Sequence, residues 1–89
     1  MARYFIDTHD GTQPLLDEDG IDLVDAAKAR IAALSALPDM AKDHTPNGDH
    51  RRYLVRVRSE NGRVIYCATL VLSGGWCDDD ADPLAADFA

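Results

Sequence analysis

Arg52-Tyr53-Leu54-Val55-Arg56-Val57-Arg58-Ser59-Glu60-Asn61-Gly62-Arg63-Val64-Ile65-Tyr66-Cys67-Ala68-Thr69-Leu70-Val71-Leu72 is the stretch on which the fold turns. Two runs rich in β-branched and aromatic residues, Arg52 to Ser59 and Arg63 to Leu72, flank Asn61-Gly62. That dipeptide suits a two-residue type I′ hairpin turn, in which both central residues take φ > 0. Pairing Glu60 with Arg63 then sets the register. Tyr53, Val55 and Val57 share one face with Tyr66, Ala68 and Leu70. Arg52, Leu54, Arg56 and Arg58 share the other with Ile65, Cys67, Thr69 and Val71. The first set reads as a core covered by a helix; the second mixes guanidinium groups with aliphatic side chains.

Upstream of the hairpin, Arg3 to Thr8 reads as a strand, and Asp10-Gly11 as the turn that ends it. Pro14-Leu15-Leu16 suits a short edge strand, where a residue without an N–H is tolerated. Asp17-Glu18-Asp19-Gly20 is a second turn. A helix follows, capped by Asp22 or Asp25, with Ala27, Ile31, Leu34 and Ala41 on one face and Leu23, Leu37 and Met40 alongside. Pro38 marks a kink or a break within it. His44-Thr45-Pro46-Asn47-Gly48-Asp49 has the composition of a loop. The expected fold is α+β: an antiparallel sheet of three or four strands with one main helix on one face, in β-(β)-α-β-β order. Residues 1–73 are expected to form a single compact domain. Residues 74–89 follow as an acidic tail with too few apolar residues to offset its ordering entropy, and are expected to be flexible.

Charge is the most informative feature of the composition. The 89 residues hold 16 acids and 9 bases, a net of −7. Residues 1–50 carry ten acids and four bases, residues 51–73 five Arg against Glu60, and residues 74–89 five Asp and no base. An acidic chain of this kind repels phosphates, so direct nucleic-acid binding is not expected. No apolar run reaches the ~18 residues that span a bilayer, and the start lacks the apolar stretch of a signal peptide. With only Cys67 and Cys77, no disulfide framework is expected, and the reading is a cytoplasmic protein with reduced thiols.

The string Arg3-Tyr4-Phe5-Ile6-Asp7 through Asp10-Gly11 leads to Asp17-Glu18-Asp19-Gly20-Ile21-Asp22-Leu23, an Ala-rich helix and the Glu60-Asn61-Gly62-Arg63-Val64 hairpin. Together these resemble a family of small, uncharacterised bacterial proteins of unknown function that open with Arg-Tyr-Phe and an Asp-Gly turn. The resemblance covers roughly residues 3–72. It implies the same element order and no particular chemistry. The strand, Asp-Gly turn and acidic approach to the helix also resemble HicB-type antitoxins more weakly, without their DNA-binding module.

Several clusters invite chemistry. Asp7, His9 and Asp10 could bind a metal or act as a base, but a solvated turn with Asp capping the backbone explains them as well. Asp43-x-Thr45-x-Asn47-Gly48 starts like a calcium loop, yet its twelfth position is Leu54 where a bidentate acid is required. Cys67 sits across the hairpin from Arg56, which could activate the thiol; a strand cysteine acting as a small hydrophobe is the plainer reading. Neither an enzyme nor a cofactor nor a metal site is expected, and Asp7, His9 or Cys67 would carry any catalysis. The function expected instead is a protein-interaction module that binds another protein, or itself, through the open sheet face or the tail. Its candidate binding residues are Arg52, Leu54, Arg56, Arg58, Trp76, Asp78, Asp79, Asp80 and Phe88. The alternative is an acidic inhibitor or antitoxin-like regulator that occupies a basic, nucleic-acid-binding cleft of a target protein.

Overall fold

The computed structural model describes residues 1–43, 50–78 and 82–88. The order is β1 (Ala2–His9), β2 (Pro14–Leu15), β3 (Ile21–Leu23), α1 (Ala26–Asp43), β4 (His50–Arg58) and β5 (Val64–Ser73). All pairings are antiparallel, in the order β2-β1-β4-β5, with β3 also on β1. β2 takes Thr8 and His9 of β1, and β3 takes Ala2 to Tyr4. The architecture is α+β, as the sequence predicts, with one strand more. That strand is β3, where Asp22 lies opposite Arg3 and forms an ion pair with it at 3.0 Å. The helix cap is therefore Asp25, whose carboxylate accepts the Lys28 N–H at 3.0 Å. The predicted loop at residues 44–49 lies outside the described residues.

The hairpin is closed differently from the expected type I′ turn. Among the described residues none other than glycine has positive φ, so Asn61 does not fill that turn; within the turn Gly62 alone is left-handed, at φ 82°. The Gly62 N–H donates to the Ser59 carbonyl, and the Ser59 N–H to the Arg63 carbonyl, both at 2.9 Å. This is the three-residue loop in which a turn is followed by a left-handed glycine. Such a loop shifts the register by one residue, as Arg58 opposite Val64 shows. Ile65 then stands as an extra residue, so that Val57 meets Tyr66 and the register returns to the one expected from the sequence. Without that bulge every later side chain of β5 would face the other way.

One face of the sheet is closed by α1. Tyr4, Tyr53, Val55 and Val57 pack with Ala29, Ala33 and Leu37, and Tyr66 and Ala68 border them. The helix stripe is displaced from the expected one: Ala27 and Ile31 are exposed, and Ala29-Ala33-Leu37 faces inward. Two Ala at four-residue spacing let the helix backbone approach Tyr53, which an Ile at that position would hold away. Leu70, expected in this core, is 37% exposed, on the end strand of the sheet. Pro38 does not end α1, which runs on to Asp43. Among the described residues no helix is long and apolar enough to cross a membrane.

Candidate functional site

Alternation along β1 and β4 brings Phe5, Asp7 and His9 onto the open face with Arg58, Arg56 and Leu54, paired in that order. Asp7 is not the solvated turn residue expected from the sequence. It is 7% exposed and lies between two guanidinium groups. Its Oδ2 accepts Arg56 Nε–H at 2.6 Å and Arg58 Nε–H at 2.7 Å, and its Oδ1 accepts Arg58 Nη2–H at 3.0 Å. The Asp17 N–H adds a fourth hydrogen bond at 2.9 Å. Burial pushes the Asp7 carboxyl up, but the hydrogen bonds from Arg58, Arg56 and the Asp17 N–H, with the Arg58 charge, outweigh it and hold its pKa at about 2.

The acidic turn after β2 is tied into the same knot. Asp17 accepts the N–H groups of Ile6 and Gly20, both at 3.0 Å, and of Asp19 at 3.1 Å. Burial raises the Asp17 carboxyl, and these three donors more than reverse that, leaving it below the usual carboxylate range. Gly20, at φ 71°, is needed here because a Cβ would come within 3.0 Å of Arg3, Phe5 and Tyr4 atoms. Arg58 donates to the Asp17 carbonyl at 2.9 Å and stacks on Phe5 at 5.0 Å. Its guanidinium is thus committed within the chain. Asp10 caps its own turn as expected: backbone N–H groups of Gln13 and Thr12 and the Thr12 hydroxyl hold its carboxyl far below the ordinary range.

Arg56 and Arg52 differ from Arg58. The Arg56 side chain is 48% exposed and uses only Nε on Asp7, while Arg52 is exposed with no side-chain partner among the described residues. Arg56 borders an open, mainly apolar cleft of about 340 Å³, lined also by His9, Leu15, Leu16, Leu54 and Cys67. The sequence reading placed Leu54 and Arg56 here, but took Leu15 and Leu16 only as an edge strand. Two consecutive leucines, 69% and 54% exposed, are more apolar surface than a solvated edge requires.

Cys67 is directly opposite Arg56, as expected, and is an exposed free thiol rather than a small hydrophobe packed into the strand; Cys77 is also free. The His9 ring accepts the Gly11 N–H on Nδ1 at 3.0 Å. Among the described residues no group of His, Cys, Asp or Glu is arranged to hold a metal. Trp76 and Phe88 are exposed, and no hydrogen bond or ion pair joins them or Asp78 to Arg52, Arg56 or Arg58. Asp79 and Asp80 lie outside the described residues.

Residues 3–71 match the family described as a domain of unknown function, DUF6894, and the chain belongs to that family. The match says nothing of the likeness to HicB-type antitoxins. No curated protein and no solved structure matches the chain.

Proposed function

We propose that this chain is a small protein-interaction module whose open sheet face receives an acidic partner segment carrying an apolar side chain. The observation that carries this reading is the cleft between Leu15-Leu16 and Arg56. It offers an apolar floor for an anchor residue beside a guanidinium that the fold does not fully use. Arg52, further along the same face of β4, extends the basic rim. Arg58 drops out of the binding set, because Asp7, Asp17 and Phe5 hold it. The two free thiols support a reducing, cytoplasmic setting as part of the proposal.

The test is a titration with acidic peptides carrying one Leu or Phe, the chain's own residues 76–89 among them, followed by amide chemical shifts. Shifts should concentrate at Leu54, Arg56 and Thr69, and Arg56→Glu should weaken binding at least about tenfold. Shifts scattered over the surface, or binding indifferent to Arg56→Glu, would sink the proposal. The regulator reading rests instead on the five Asp of residues 74–89 and exposed Phe88. It requires a basic target, and a complex lost steeply as salt rises.

A further inference from the structure

The last residues of the chain carry the features that the cleft between Leu15-Leu16 and Arg56 selects for. Asp82 opens a short turn there. Its carboxylate accepts the Leu84 N–H at 2.9 Å, and Pro83 takes the first position, where its missing N–H leaves no helical bond unmade. The Phe88 N–H donates to the Leu84 carbonyl at 3.2 Å, which closes one helical turn. Residues four apart on such a turn stand on the same side. Leu84 and Phe88, 51% and 80% exposed, therefore form one apolar face. The chain around them, residues 74–89, holds five Asp and no base.

We propose that this turn folds back within the same molecule and docks Leu84 and Phe88 on Leu15 and Leu16, closing the cleft to other acidic segments. The inference rests on the cleft being a site for an acidic, apolar segment, and it names the segment that occupies it. The chain is long enough. From Ser73 back to the level of Ala68 and across the sheet to β2 is about 20–25 Å at ordinary strand rise and spacing. The eleven residues from Ser73 to Leu84 span up to ~36 Å when extended, and Gly74-Gly75 lets the chain reverse. Charge sets the direction of the return. Arg52 lies opposite Val71, close to where β5 ends, and Arg56 lies further on, opposite Cys67. A tail returning from Ser73 meets these two cations before it reaches Leu15, and four of its five Asp precede Leu84. Glu18 and Asp19 adjoin Leu16 without lining the cleft, so the side of the cleft nearest to them suits the apolar pair and not the acids. A linker this short holds the tail at a roughly millimolar effective concentration, which favours it over a free segment of the same chemistry.

Amide and methyl spectra of the full chain test this, wild type against a Leu84→Ser/Phe88→Ser double variant. Neither residue belongs to the core, so the variant should keep the wild-type circular dichroism. In the wild type, nuclear Overhauser contacts should join the Phe88 ring to Leu15 or Leu16. The Leu54, Arg56 and Thr69 amides should shift in the variant, and these differences should survive about tenfold dilution, since the contact is intramolecular. A synthetic peptide of residues 76–89 should bind the variant at least about tenfold more tightly than the wild type, whose own tail competes for the cleft. Identical cleft amides in the two chains overturn the proposal. Differences that vanish on dilution also overturn it, because they assign the tail to a second copy. A peptide that binds both chains equally at those amides overturns self-docking and leaves the reading of the cleft standing. A peptide that binds neither chain, with identical cleft amides, removes both.

Discussion

β4 has two neighbours, and the chain treats them in opposite ways. Toward β1 the open face is wired by charge: Asp7 takes both Arg56 and Arg58, and Asp17 secures the loop that closes over them. Toward β5 the same face carries Cys67, Thr69 and Val71, with no charge and little cover. Both flanks share the core strand β4, in which Tyr53 and Val57 are fully buried. The difference separates what stabilises the fold from what it leaves available. The β1 flank is finished within one chain, whereas the β5 flank and the cleft beside it offer apolar surface to something else.

The largest effect should come from the strand the two flanks share. Tyr53 is 0% exposed, so Tyr53→Ala should cost about 3–5 kcal/mol, read as a lower midpoint in urea denaturation. A loss below about 1 kcal/mol would mean that β4 is not the common core, and the contrast between its neighbours would lose its footing.

Breaking the β1 flank comes next. Asp7→Asn should cost about 2–3 kcal/mol at neutral pH, less than a fully buried pair because Arg56 is half exposed. The sign with pH follows from the depressed carboxyl. Its pKa is about 2 in the fold against an ordinary 3.8, so the stabilisation is present above pH 3.8 and disappears as pH falls through 2. The gap between wild type and Asp7→Asn should therefore shrink from pH 4 downward, by about 2 kcal/mol in all. A gap that is constant with pH would show that the carboxylate charge does not hold this flank together.

How far this contrast could be read in advance depends on the range of the interactions. Asn61-Gly62 between two apolar runs is local, so the hairpin, its two faces and the α+β order were legible. The alternation that puts Arg56 and Arg58 on one face of β4 was legible too, whereas Asp7 read as part of a solvated turn. Their convergence was not, because Asp7 is 49 and 51 residues from its arginines and the pairing of β1 with β4 decides it. An acid and two bases at alternating positions on facing strands were the available signal. The helix stripe was hidden for another reason: in a helix with Ala at positions 26, 27, 29, 32, 33, 36 and 41, hydrophobicity barely distinguishes the faces. β3 has only three residues, directly before the helix, and its Asp22 looks like a cap. For the candidate binding set, Leu54 and Arg56 line the cleft, whereas the contributions of Leu15, Leu16 and His9 depend on where β2 is laid against β1.

The smallest effect should come from the β5 flank, and it bears on why the expected register survived an incorrect turn. The left-handed Gly62 shifts the pairing by one residue, and the extra residue Ile65 restores the faces. Deleting Ile65 removes only the bulge. Arg58 would still lie opposite Val64 and Val57 opposite Tyr66, and Tyr66 and Ala68 would stay on the helix side. Ile65 is 44% exposed, so little burial is lost, and the cost should stay within about 1 kcal/mol, with nuclear Overhauser contacts between Tyr66 and Val57 retained. Deleting Ala68 instead inverts the rest of the strand, placing Leu70 and Leu72 on the open face and Val71 under the helix side. If the two deletions were equally disruptive, the bulge would be holding the sheet's twist as well as its register, and the β5 flank would be less independent of the β1 flank than their separation by β4 suggests.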